Sequence, residues 1–421
     1  MLSADEPRYA QIGRTMARTG DWVTPVLNGS PWFEKPPLLY WMMAAAWKGG
    51  LKDELAARVP IGLMSLAFLG LVWRVLGRPA ALMLGTAVGY VAFSLVGVTD
   101  LPLTAAFGAA MLLALPGEGK RLPLICGVLL GVAMLAKGLV PVVLALPAIW
   151  FWRHQPRRLL AVAGIALAIF GAWFALATLR NGAQPWQELI VKHHFARFIG
   201  EQIHHERPFW FYVPVLLAGL LPWTPGLVNI SLTDSRAWFL AAWAGFGFLF
   251  FSASANKLPG YLLPLVPAII GLIALRPPRG WVLRACAACV PLILYASRVA
   301  APAMADGVGK VAWPAPQWGE WVLLALALLP WFTPVAAGAA LCFLLAKGDA
   351  AAMIERGGVR HFYRAHVHHS PQMCVEWVDR DERYALDYYF DPRLPDCEVV
   401  ARPLPVIQEP GGALKIGRLP E

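Results

Sequence analysis

The sequence predicts an all-α polytopic membrane protein with outward-facing loop helices, followed by a small C-terminal polar domain of α/β or irregular structure. Three observations carry this reading. Of the 421 residues, 58% are hydrophobic and only 15% charged, against about 25% charged in soluble domains. Apolar runs suited to crossing a bilayer recur along the chain. Three polar blocks, 1–56, 180–208 and 347–421, interrupt them.

A spanning helix needs about 20 apolar residues. Runs of this kind cover 57–77, 79–97, 100–116, 122–137, 139–153, 158–179, 209–229, 236–253, 258–275, 281–300 and 321–346. Together they form a transmembrane bundle over 57–346 of about 11 to 12 helices, the last run being long enough for one tilted helix or two short ones. In block 1–56, Pro36-Pro37 opens an aromatic stretch, 38–47, suited to the membrane interface.

The net charge of +10 is distributed as a membrane protein requires. Arg74/Arg78, Lys120/Arg121, Arg153/Arg157/Arg158 and Arg276/Arg279/Arg284 alternate onto one side, which the positive-inside rule makes cytoplasmic. No basic stripe tracks a solvated face, so nucleic-acid binding is excluded. Blocks 1–56 and 180–208 then face outward, in the same compartment as Asp100, Lys137 and Lys257.

Cys126, Cys286, Cys289 and Cys342 lie inside apolar runs. The Cys286-x-x-Cys289 pair sits in an Ala-rich segment, where small residues pack helices, and reads as packing rather than redox or metal chemistry. Cys374 and Cys397 lie in the polar tail and can pair if it faces an oxidising compartment. His361, His366, His368 and His369 read as a solvated tail in preference to a metal site.

The chemistry-bearing residues cluster in the outward segments. Block 1–56 holds Asp5-Glu6-Pro7-Arg8-Tyr9 and Phe33-Glu34-Lys35-Pro36-Pro37. Acids and bases at a bilayer surface are costly as decoration. They offer a carboxylate for an acceptor and cations for a phosphate. The bland alternative is a solvated loop with surface ion pairs. Asp100, two residues before Pro102, reads as a helix N-cap, which does not exclude catalysis. Lys137, at a helix end on the outer face, runs against the positive-inside trend. It reads as the partner of a bound anion rather than as a snorkelling side chain. In block 180–208, His193, His194, His204 and His205 lack H-E-x-x-H or C-x-x-C spacing. An interfacial amphipathic helix accounts for the neighbouring Phe and Trp residues. Lys257 occupies another polar break, 252–261.

Taken in order, the segments 5–9, 34–37, 100–104, Lys137-Gly138, 194–198 and 257–264 resemble the bacterial aminoarabinose transferases. That family stands with the protein O-mannosyltransferases among the polytopic lipid-linked-sugar transferases. The resemblance covers about residues 1–275 and implies a GT-C fold, a helical membrane bundle whose outward loops form the site. It implies an inverting transfer from a polyprenyl-phosphate sugar to lipid A at the outer face of the bacterial inner membrane. A Ser or Thr hydroxyl, as in the mannosyltransferases, is the alternative acceptor. By the same resemblance Asp5 acts at the acceptor and Asp100 lies beside the sugar. Arg8, Tyr9, Lys35, Lys137, Arg197 and Lys257 line the carrier-phosphate site. Glu34 and His194 match positions that can sit at a structural divalent metal such as zinc. The family pattern carries an acidic residue where His193 stands. Family members also place a membrane helix ahead of the first motif, which here begins at residue 5. An apolar segment of about 20 residues upstream would restore that architecture.

A transporter or flippase for lipid-linked saccharides is the competing class. It predicts paired internal repeats with broken helices at the midplane; the sequence shows no such repeat, and its charges gather in outward loops instead.

Overall fold

The computed structural model describes residues 5–94, 96–116, 122–196, 207–290, 359–367, 373–391, 393–399, 404–408 and 414–416. The second half of the predicted run 281–300 and all of 321–346 lie outside them, as do Arg197, His204, His205, His368 and His369.

The described residues open with helix α1 (Asp5–Thr19). A two-stranded hairpin follows, Val26–Leu27 against Ser30–Pro31. Its turn is Asn28-Gly29, both at positive φ, as a two-residue hairpin turn of the primed type requires. Helix α2 (Leu38–Lys48) starts directly after Pro36-Pro37 and packs on α1 through Tyr40 and Met43. The stretch predicted to lie at the interface is therefore half-buried against α1, because Leu39, Tyr40, Met43 and Ala44 share its inner face.

Helix α3 (Asp53–Leu76) is the first of three helices long and apolar enough to cross a membrane; the others among the described residues are Pro156–Asn181 and Ser235–Ala253. Other predicted runs are broken instead. Run 79–97 becomes α4 (Arg78–Gly85) and α5 (Val88–Phe93). Run 139–153 becomes α8 (Val140–Leu144) and α9 (Leu146–Phe151), each opened by a proline. A proline's missing N–H and fixed φ suit a helix start, although α3 carries Pro60 in its interior. Between these lie α6 (Asp100–Leu113) and α7 (Leu122–Lys137). Every residue of α6 from Leu101 to Leu112 is buried, as befits a helix apolar on all sides. Helix α7 lies against α10 (Pro156–Asn181). Added β-carbons at Gly127 and Gly131 would meet the Cβ of Ile165 and Ile169 at 2.9 Å each; this close approach is the membrane mode of helix packing.

Contacts at the two ends of the bundle follow the predicted alternation. At one end the Trp152 indole donates to the Ala114 carbonyl (3.1 Å) and Arg236 to the Val75 carbonyl (3.2 Å). At the other, Arg180 pairs with Asp21 (3.0 Å) and Asn181 donates to the Thr24 hydroxyl (2.9 Å). Block 1–56 and the start of block 180–208 thus meet. Within the latter, Trp186–Ala196 forms a π-helical segment.

The C-terminal unit is small and mixed. Strand Met373–Trp377 runs parallel to Leu404–Gln408, which pairs antiparallel with Leu414–Ile416. Helices Val359–His366 and Arg380–Tyr389 accompany this sheet, and a disulfide joins Cys374 to Cys397. The tail read as merely solvated instead docks on the first block. Arg14 donates to the Tyr388 carbonyl (2.8 Å), Asn28 to Asp387 (3.3 Å), and Tyr389 to the Glu54 carboxylate. Arg18 pairs with Asp391.

Candidate active site

Helix α1 places Asp5, Glu6, Arg8 and Tyr9 within its first two turns. Asp5 is half-exposed and pairs with Arg8 one turn on. Arg8 is buried and also reaches Glu34 (3.5 Å), while Lys35 pairs with Glu34 at 3.0 Å. The Arg8, Glu34 and Lys35 side chains are only 10–15% exposed. The solvated-loop alternative therefore fails: charges so desolvated are held by one another. Burial pushes the Glu34 carboxyl up, but Lys35, Arg8 and His193 outweigh it and hold it at about 2.

Asp100 and Lys137 form a second set. Lys137 ends α7, and Gly138 follows at φ 64°, the left-handed stop that favours glycine. Its ammonium lies 2.6 Å from the Asp100 carboxylate and 4.5 Å from the centre of the Tyr261 ring. Two expectations are corrected here. Asp100 is the first helical residue of α6 rather than its cap: Thr99 holds the cap position without a side-chain cap bond, and the Asp100 carboxylate is committed to Lys137. Lys137 in turn is not a lone cation: it is paired with Asp100, as Arg8 and Lys35 are paired with Asp5 and Glu34.

Tyr9 stands between the two sets. It is wholly buried, with its ring 5.7 Å from that of Tyr40. Burial first, then Glu34, Tyr40 and Asp100, raise its phenol well above the ordinary range, against a smaller opposing effect of Arg8. Tyr9 therefore stays protonated at neutral pH and can only be a hydrogen-bond donor or neutral acceptor.

Lys257 departs from expectation. It is buried, and its ammonium donates to the Ser254 carbonyl three residues back, so in this conformation it closes its own turn. The Glu34 site does not fit a metal as placed: its carboxylate faces Lys35 and Arg8, and cations there repel a further cation. The His194 side chain lies outside the described ones, and no group of three metal-ligating side chains occurs among the described residues.

Two residues were not singled out in sequence. Glu6 is fully buried, receives Arg58 bidentately (2.8 Å each) and accepts from the Gly97 amide (3.0 Å). It ties α1 to the turn that precedes Asp100. Its partners lie 52 and 91 residues away, so only the side-by-side acids of Asp5-Glu6 hinted at it. Tyr384, from the C-terminal unit, sets its ring 5.0 Å from the Arg8 guanidinium; no local motif marks it.

No protein-family model matches the chain. Among curated proteins it is similar to the undecaprenyl phosphate-alpha-4-amino-4-deoxy-L-arabinose arabinosyl transferase of Pseudomonas aeruginosa (strain UCBPP-PA14). The two are 35% identical over 292 residues, covering 62% of this chain and 52% of that protein. It is also similar to the protein of the same name from Aeromonas salmonicida (strain A449), at 30% identity over 303 residues, 65% of this chain and 55% of that one. The chain thus spans about half the length of the curated relatives it matches. Among solved structures it is similar to ArnT from Cupriavidus metallidurans bound to undecaprenyl phosphate, with a TM-score of 0.68 and 24% identity over 93% of this chain and 80% of that one. The apo state of the same protein gives 0.69 over 93% and 84%. The resemblance drawn from the motifs is borne out, and the fold is the GT-C helical membrane fold with a small C-terminal unit.

Proposed function

We propose that this chain acts as an inverting glycosyltransferase that moves a sugar, an aminopentose by its relatives' names, from undecaprenyl phosphate to lipid A. The observation that carries the reading is the pair of charge sets, Asp5–Arg8–Glu34–Lys35 and Asp100–Lys137, with the buried Tyr9 near both. It is supported by similarity to proteins named for this transfer. The disulfide between Cys374 and Cys397 fits a unit exposed to an oxidising compartment, so the site is assigned to the outer face of the inner membrane.

The residues divide the work by charge. As the glycosidic C–O bond to the carrier breaks, its electron pair passes to the carrier phosphate. Arg8 and Lys35, already desolvated, bind that growing charge more tightly than the ester, which lowers the barrier. A lipid A phosphate oxygen forms the new bond from the opposite face of the sugar. Being already ionised, it needs no general base, so Asp5 serves to offset positive charge developing on the sugar. Asp100, fixed by Lys137, lines the sugar side. Tyr9, kept protonated, donates to an oxygen of the donor. The test is transfer by the purified protein from undecaprenyl-phosphate aminoarabinose to lipid A, read by mass spectrometry. A product on lipid A that vanishes in Asp5→Asn is expected. Unmodified lipid A, or sugar appearing on protein hydroxyls instead, overturns the reading.

A further inference from the structure

Arg8 is held in an unusual way. Its guanidinium lies 5.0 Å from the Tyr384 ring centre, 5.8 Å from that of Trp32 and 5.9 Å from that of Tyr9. One terminal nitrogen pairs with Asp5 and the other with Glu34. The buried Nε has no hydrogen-bond partner among the described residues. Rings over a guanidinium attract its charge through their faces and leave its N–H edge for anions. An unmade bond at a buried donor is costly unless a ligand makes it.

Two of the three rings belong to the first block, but the third comes from the C-terminal unit. That unit is anchored on the same helix as Arg8: Arg14 bonds the Tyr388 carbonyl four residues after Tyr384, and Arg18 pairs with Asp391. Asn28 at the hairpin turn reaches Asp387. The docking thus holds Tyr384 over Arg8 through contacts from α1 and from the hairpin turn.

We propose that Tyr384 is a positioning residue for donor binding: it clamps the Arg8 guanidinium so that its Nε edge is presented to the carrier phosphate. The C-terminal unit thereby contributes to recognition of the lipid phosphate. This rests on the reading of Arg8 as a carrier-phosphate ligand. The hydroxyl has no part in the clamp; the ring does.

The experiment uses the full chain in lipid nanodiscs, with Tyr384→Phe, Tyr384→Leu and Tyr384→Ala. Binding of undecaprenyl phosphate alone is measured first, then donor KM and kcat. The expected result is about tenfold weaker carrier binding and a matching rise in donor KM for the Leu and Ala variants. Their kcat stays within about twofold, and Phe behaves as the parent, because the ring face alone makes the cation–π contact. Unchanged melting temperatures for Leu and Phe show that the unit still docks. Carrier binding undiminished in Tyr384→Leu, loss in Tyr384→Phe equal to that in Leu, or a fall in kcat alone overturns the inference while leaving the transferase reading intact. A parent protein that binds no carrier sinks both.

Discussion

Lys137 at the end of α7 and Asp100 at the start of α6 stand 37 residues apart in sequence and 2.6 Å apart in the fold. Each side chain is less than one-fifth exposed. The pair fastens the adjoining ends of two largely apolar helices, and the Lys137 ammonium lies against the Tyr261 ring.

Breaking that pair from one side leaves an uncompensated buried charge, which typically costs about 3–5 kcal/mol. Lys137→Met and Asp100→Asn should each lower the melting temperature of the purified protein. The double variant should recover most of the loss, because no lone charge remains, while transfer stays abolished. If the double variant is as unstable as the sum of the singles, the pair is not a coupled unit.

The Glu34 carboxyl is depressed from 4.5 to about 2, so it stabilises the folded state when ionised. The sign follows directly: the contribution is fully present above the unfolded pKa and is lost as pH falls from about 4.5 through about 2. Its size is at most about 3 kcal/mol. Thermal stability of the parent should therefore drop over that window, and Glu34→Gln should flatten the drop. Parallel pH curves for the two would remove Glu34 as the cause.

How far the site was legible in sequence depends on where the partners lie. Asp5, Arg8, Glu34 and Lys35 stood out because charge is scarce in this chain, and so did Asp100 and Lys137. The structure brings all six to one end of the bundle. Pairing was not legible: nothing local to Lys137 names Asp100, and nothing near Glu6 names Arg58 or Gly97. Membrane spans were readable as apolar runs, but their continuity was not. Where Pro141 and Pro147 recur within one run, the backbone restarts rather than crosses. Docking of the C-terminal unit on α1 was invisible for the same reason as Tyr384: a tertiary contact between segments more than 350 residues apart has no period or spacing.

The disulfide Cys374–Cys397 closes a loop of 23 residues, for which chain-entropy arguments give about 3 kcal/mol to the unit that contains it. Cys374→Ser should leave the membrane bundle folded, since the pair lies outside it. It should instead make the 359–416 region open to protease. Limited proteolysis with and without a membrane-permeant reductant reads this directly. Equal resistance in both would show that docking on α1, not the crosslink, holds the unit.

Gly260 lies against the Asp100 carboxyl. A β-carbon there would stand 3.0 Å from the Asp100 Cγ and 3.0 Å from two ring atoms of Phe93, tighter than ordinary van der Waals contact. Phe93 sits on a short helix braced within the bundle, whereas the Asp100 side chain has a rotamer to yield. Gly260→Ala should therefore push Asp100 away from Lys137 by a few tenths of an ångström rather than unfold the region. Catalytic geometry is sensitive on that scale, so transfer should fall by about tenfold, mostly in kcat, with a melting temperature close to the parent's. The alternative is that Phe93 gives way. Stability would then fall and kcat would stay near the parent value, and Asp100 would not be the residue that Gly260 protects.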